Sequence, residues 1–328
     1  VSDSQKEKPQ TMECGQDVRA PGGAPIIAIV GPTASGKSAL GIELALRMDG
    51  EVINCDSVQV YQEIQIATAK VPIEERRGVP HHLIDFVSPQ VNFTAADWAR
   101  AAIEKVEDIE ARHRRTFLVG GTGFYLRALR QPFFESPPTD EAVRARLTRI
   151  RERHGAEHLH RILQRFDHEE AKNLNARDWP RVQRAIEFCL QTGEAISKQK
   201  PLRPEAPKLA SRIRIIALNP PRAEVYARIN ERTEKHFASG LVDEVSRLLD
   251  AGVPAESNAL GAHGYRRVIE YLRGRRTLES AIERTELDVR HYAKRQLSWF
   301  RHESGVEWFD GFGDDPRVQE EVFAELQT

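Results

Sequence analysis

Ile26-Ile27-Ala28-Ile29-Val30 runs five apolar residues without a polar break, a pattern that suits a strand covered on both faces of a parallel sheet. The spacing then changes. Leu40, Leu44 and Met48 recur every four residues, the stripe of an amphipathic helix, and Asp49-Gly50 supplies a stop. Glu51-Val52-Ile53-Asn54 predicts a second strand. Ala95 to Arg112 places Trp98, Ala102, Val106 and Ile109 on one helical face, and Thr116-Phe117-Leu118-Val119 predicts a third strand. Strands alternating with helices imply an α/β fold with a doubly wound parallel sheet. Composition shifts at Phe133-Phe134-Glu135-Ser136-Pro137-Pro138. From Asp140 to about Lys200 the patterns are helical with no clear strand, and Pro201, Pro204 and Pro207 close this stretch. Ile213 to Leu218 returns to a strand pattern. The expectation is an α/β core over residues 25–135 and 208–328, interrupted by an all-helical insert over 136–207. Residues 1–24 are polar and rich in Gly and Pro at their end, which predicts a disordered tail.

Between the first strand and the first helix lies Gly31-Pro32-Thr33-Ala34-Ser35-Gly36-Lys37-Ser38, a G-x-x-x-x-G-K-S phosphate loop. Gly31 and Gly36 let the backbone turn where a Cβ would clash. The loop N–H groups then converge on one anion at a helix N-terminus, and Lys37 adds a point charge. The Ser38 hydroxyl is placed for a Mg²⁺ ion or a phosphate oxygen. The loop alone does not say which phosphates it holds. Asp56 follows the second strand and Gly120-Gly121-Thr122-Gly123 follows the third. In open α/β sheets ligands bind beyond the carboxyl ends of strands, so these segments should meet at the loop. Asp56 reads either as a general base or metal ligand, or as a helix cap.

Bulk composition narrows the partners. The 328 residues carry a formal charge of −1, with 40% hydrophobic and 30% charged residues, which excludes a strongly basic nucleic-acid binder. An RNA surface must therefore be local. Arg290 to His302 holds Arg290, Lys294, Arg295 and Arg301 with no acid, interleaved with Tyr292, Trp299 and Phe300. Gly264-Tyr265-Arg266-Arg267, with Arg273, Arg275 and Arg276, forms a second cluster, and the insert adds Arg144, Arg146, Arg149, Arg151, Arg181 and Arg184. Cys14, Cys55 and Cys189 have no paired spacing, which fits a reducing cytosol. His81 and His82 read as a packed or hydrogen-bonded pair rather than metal ligands. No apolar run reaches membrane-spanning length and the first residues are polar, so a cytoplasmic protein without a membrane partner is expected.

Taken in order, GPTASGKS, DSVQVY, HHLID, GGTGFY and YAKRQLSWFR closely resemble the bacterial tRNA dimethylallyltransferase (tRNA isopentenyltransferase) family, from about Pro25 to Arg301. The resemblance implies a P-loop NTPase-like core with a helical insert that grips the tRNA anticodon stem-loop. It implies transfer of a dimethylallyl group from dimethylallyl diphosphate to N6 of adenine 37, in tRNAs reading codons that begin with U, with Mg²⁺ as cofactor. The phosphate loop, Gly31 to Ser38, would hold the donor's diphosphate. Asp56 would be the general base, with Ser38 and Arg232 supporting the diphosphate and Ser38 on Mg²⁺. The tRNA contacts implied are Asp56, Ser57, Val58, Gln59, Thr122, Arg144, Pro180, Arg181, Val182, Gln183, Arg184, Gly264, Tyr265, Arg266, Arg267, Lys294, Arg295, Gln296, Trp299 and Arg301. A monomer is expected. Asp178-Trp179-Pro180-Arg181 departs from the Asp-Pro-Gln-Arg often found in relatives, as does the stretch ahead of Gly264. The zinc finger of eukaryotic relatives is not present, which fits a bacterial member.

Three other readings share parts of this pattern. A P-loop kinase of a nucleotide or small metabolite explains the loop but not the basic, aromatic helix at 290–302. A prenyltransferase acting on free adenine nucleotides needs no stem-loop grip. A non-catalytic RNA-binding module leaves Asp56 beside an intact phosphate loop without a use.

Overall fold

The computed structural model describes residues 23–134, 136–202 and 204–328; the expected tail lies, up to residue 22, outside them. The apolar run forms β1 (Ile26–Val30), buried along its whole length. It joins β2 (Gly50–Asn54), β3 (His81–His82), β4 (Arg115–Val119), β5 (Ile213–Leu218) and β6 (Val306–Phe309) in one parallel sheet, ordered β3-β2-β4-β1-β5-β6. Alternation along β1 sorts the two faces. Ile27 and Ile29 pack with Leu40 and Leu44 of α1 (Lys37–Arg47) and with Val318 and Val322 of α13 (Pro316–Leu326). Ile26, Ala28 and Val30 face Trp98 and Ala102 of α2 (Ala95–Ala111) and Tyr125 and Leu129 of α3 (Gly123–Arg130). Each large side chain buried here contributes about 1.5–3 kcal/mol relative to exposure.

The long helical stretch between α3 and β5 forms α4 (Glu141–His154), α5 (Ala156–Phe166), α6 (His168–Asn173), α7 (Trp179–Thr192) and α8 (Ile196–Gln199). Leu147, Leu159, Leu163, Ile186 and Phe188 give these helices a core of their own. The Glu187 carboxylate is fully buried among them and receives the Arg144 guanidinium through two bonds of 3.0 Å. Paired and hydrogen-bonded, a buried charge is tolerated; alone it would cost several kcal/mol. After β5 come α9 (Arg222–Ala238), α10 (Leu241–Asp250), α11 (His263–Leu272) and the 24-residue α12 (Leu278–Arg301), which closes over the α2 and α3 side of the sheet.

Strands β3 and β6 were not legible as strands. β3 is only two histidines long, and β6 is an edge whose Glu307 binds Arg214 rather than extending an apolar run. His82 contacts the buried Glu51 at 2.6 Å, and His81 meets the Val79 carbonyl at 2.8 Å, so both rings have partners in the sheet edge.

Candidate active site

At the carboxyl end of β1 the chain turns through the phosphate loop into α1. Gly36 caps α1 at φ 81°, and a Cβ there would lie 2.6 Å from the Asp314 carboxylate, so only glycine fits. Lys37 curls back so that its Nζ donates to the Pro32 carbonyl at 2.6 Å. Burial, opposed by Asp56 and reinforced by Arg232, pushes the Lys37 ammonium down to about 8. Arg232, on α9, donates to the Thr33 hydroxyl at 2.6 Å. Burial lowers its basicity too, against the attraction of Asp56. Two cations and one carboxylate thus share this end of the sheet.

Gln296 of α12 joins this loop to the turn after β4. Its Oε1 accepts from Thr33 N at 2.8 Å and its Nε2 donates to Gly121 O at 3.0 Å. The turn itself lies against β2, since a Cβ on Gly120 would fall 2.1 Å from Cys55 O. Thr122 Oγ1 accepts from Ser57 N at 3.1 Å. Just before Ser57, Asp56 is fixed on both sides. Its N–H donates to Asn54 Oδ1 at 3.1 Å, and its Oδ1 accepts from Val58 N at 2.9 Å and Gln59 N at 3.4 Å. The expected helix cap is not what forms: residues 57–60 are a turn, and Asp56 Oδ1 closes that turn while the residue lines the cleft beside the phosphate loop. Trp98 Nε1 anchors the same strand end on Asn54 O at 2.8 Å.

Two cavities meet at Asp56. One, about 450 Å³, is lined by Gly36, Lys37, Ser38, Asp56, Gln59, Lys70 and Arg232. The other, about 220 Å³, has Asp56, Ser57, Thr33 and Arg232 at its polar edge and Ala67, Phe237, Leu241, Ala262, Gly264 and Val289 along its walls. Thr33, Asp56, Thr68, Ala69, Arg232 and His236 border both. His236 follows Arg232 by one helical turn; burial, then the Arg232 charge, push it down to about 4, so it presents a neutral ring. Burial likewise lowers His263 to about 4 and raises the Tyr292 phenol, both on the wall of the smaller cavity.

The residues expected to touch RNA separate into four groups. Ser57, Val58 and Gly264 line the smaller cavity and Gln59 the larger. Pro180, Arg181, Arg266, Lys294, Arg295 and Arg301 are exposed, and Trp299 is half-buried. Val182, Gln183, Tyr265 and Gln296, by contrast, are buried. Val182 packs in the core of the helical stretch, Gln183 reaches Arg144 O at 3.2 Å, and the Tyr265 hydroxyl donates to Glu244 at 2.5 Å. Their side chains serve packing and loop fixation: the Gln183 amide N–H, the Tyr265 hydroxyl and both ends of Gln296 already have protein partners. Arg144 and Arg184 surround Glu187, and Arg267 is held by Asp288 and Glu270.

Sequence reasoning passed over His236, Phe237 and Glu244. His236 could have been found from the four-residue step Arg228, Arg232, His236 on one helix. Glu244 had no such signal. It is buried on α10, yet it receives the backbone N–H groups of Gln65 (3.2 Å) and Ile66 (3.3 Å) and so fixes the loop that walls both cavities. Among the described residues no group of three His, Cys, Asp or Glu side chains could hold a metal ion. No helix among them is long and apolar enough to cross a membrane.

The family described as IPP transferase matches residues 59–303. A tRNA dimethylallyltransferase of Solibacter usitatus is 44% identical over 296 residues, covering 90% of this chain and 96% of its own. One from Geobacter metallireducens is 43% identical, covering 87% and 92%. Among solved structures, the tRNA isopentenylpyrophosphate transferase of Bacillus halodurans superimposes with a TM-score of 0.66 at 36% identity, covering 92% of this chain and 97% of its own. A eukaryotic dimethylallyltransferase acting on tRNA gives 0.72 at 26% identity, covering 93% and 77%. With the family model matched over residues 59–303 and relatives above 40% identical along nearly the whole length, the chain belongs to the tRNA dimethylallyltransferase family.

Proposed function

We propose that the protein transfers a dimethylallyl group from dimethylallyl diphosphate to N6 of adenine 37 in tRNAs that read codons beginning with U, releasing diphosphate. The observation that carries this reading is the place of Asp56. It stands where a phosphate-binding cleft opens into a largely apolar cavity, so one carboxylate faces both a leaving diphosphate and an entering base. An exocyclic adenine amine is a poor nucleophile, its lone pair being delocalised into the ring. Asp56, hydrogen-bonded to that amine, takes its proton as the nitrogen attacks C1 of the donor. The C1–O bond breaks and its electron pair leaves with the diphosphate. Loop N–H groups, Lys37 and Arg232 stabilise the growing charge. The smaller cavity excludes water from the reacting carbon. The adenine must leave its stack to arrive there, at a cost of a few kcal/mol.

A divalent metal fits the donor set. Ser38 lines the cleft without a carboxylate cluster, which suits Mg²⁺ held by Ser38, directly or through water, and otherwise by diphosphate oxygens. When bound, such an ion supplies charge neutralisation on the diphosphate. The helical stretch over residues 136–207 is proposed to grip the anticodon stem-loop as a separate domain, with Arg181 among its exposed cations, while residues 25–135 and 208–328 form the catalytic core. The protein is proposed to act as a monomer in the cytoplasm.

Two measurements test this reading. Mass spectrometry of nucleosides should show a new adenosine, heavier by one dimethylallyl group, after unmodified tRNA is incubated with protein, Mg²⁺ and donor. No new nucleoside, with ATP consumed in a parallel reaction, would move the chain to the kinases. The second is a pH dependence. Lys37 is cationic below about 8 and neutral above it in the free protein. Affinity for an unreactive analogue of the diphosphate donor should therefore be constant at lower pH and fall as pH rises through about 8. Lys37→Met should bind more weakly and show no step in this window.

A further inference from the structure

Phe124 opens α3 directly after the Gly120–Gly123 turn, and 50% of its surface is exposed. Other rings are exposed on this surface; what sets Phe124 apart is its place beside the site and the groups that hold it. Its orientation is fixed. Phe133 stacks against it with centroids 5.0 Å apart, and Trp299 meets it edge-on at 6.5 Å. Trp299 is itself wedged: the Arg127 guanidinium lies 4.0 Å over its ring, and Glu303 binds both Arg127 and Arg130. The Trp299 indole N–H is buried without an acceptor, pressed onto Gly123 so closely that a Cβ there would fall 2.2 Å away. The structure thus accepts an unsatisfied donor in a position that supports the Phe124 ring. A ring held this firmly loses little entropy when a second ring settles on it.

The location selects the partner. Thr122, two residues earlier, binds Ser57, which lines the smaller cavity. An adenine drawn out of its stack leaves each neighbouring base with an open face. We infer that Phe124 is a stacking platform for a nucleotide flanking the target adenine, replacing the contact that the extruded base gives up. The inference rests on the tRNA reading above.

The test uses the full protein and an unmodified anticodon stem-loop. Phe124→Ala should weaken binding about 5- to 100-fold, the range found for removing one base–aromatic stack, and Phe124→Tyr should bind as wild type does. An abasic nucleotide is then placed on each side of the target adenine in turn. At one of the two positions it should weaken wild type, with Phe124→Ala adding no further loss. Equal binding by Phe124→Ala and wild type would overturn the platform. So would an undiminished Ala effect on both abasic loops, or a loss in the Tyr variant as large as in Ala. Wild-type prenylation of the same stem-loop, followed in parallel, keeps the two ideas apart. Turnover without base coupling removes only the platform, whereas no turnover removes the tRNA reading itself.

Discussion

Asp56→Asn is expected to lower turnover at least about a hundredfold, the scale of losing a general base, while the affinity for unmodified tRNA stays close to wild type. The choice of asparagine matters. Asp56 Oδ1 accepts the Val58 and Gln59 N–H groups, and an amide oxygen can accept the same two bonds. The strand end therefore keeps its shape, and only basicity and charge are removed. Asp56→Ala also removes the turn bonds to Val58 and Gln59 and should add about 0.5–1.5 kcal/mol of destabilisation per bond lost. Single-turnover kinetics with saturating donor, beside equilibrium binding of tRNA, separates the two effects. Asparagine turnover within a few-fold of wild type would take the proton-accepting role away from Asp56. A loss confined to alanine would leave Asp56 as a turn residue alone.

The same residue shows how far sequence carries. β1, β2, β4 and β5, the phosphate loop and the convergence of Asp56 with Thr122 were all legible, because they depend on local periodicity and on the rule that parallel sheets bind ligands at strand ends. What was not legible depends on partners far along the chain. Gln296 sits in the basic, aromatic segment and was expected on RNA; it is buried instead, tying residues 33 and 121 together. Tyr265 was read with its arginine neighbours as one surface cluster. Helical geometry turns it inward onto Glu244, while Arg266 stays exposed. A cluster of consecutive residues on a helix cannot share one face, so the reading was too generous by half. β6 was missed for a related reason: an edge strand needs only one covered side and leaves a weak apolar signature.

Arg232→Gln is expected to reduce kcat/KM about 10²–10³-fold, with most of the loss in kcat, as for other groups aimed at charge that develops in a transition state. Its thermal midpoint should be no lower than wild type. This pairing follows from the energetics of the site. In the free protein Arg232 is a half-buried cation on the cavity wall with Thr33 Oγ1 as a hydroxyl partner, and its desolvation is only partly offset by the Asp56 charge. Such a group costs stability until a diphosphate arrives. Glutamine can still donate to Thr33 without carrying the charge. Arg232→Lys should recover only part of the activity, since one ammonium cannot contact Thr33 and a phosphate oxygen in the fixed plane that a guanidinium offers. Differential scanning of the three proteins with and without inorganic diphosphate provides the check. Wild type should gain most from the ligand and glutamine least. A glutamine variant that melts well below wild type while retaining turnover would make Arg232 a scaffold residue. The expected pattern, lost turnover on an intact fold, means the protein holds a partly compensated positive charge on its cavity wall for the substrate to neutralise.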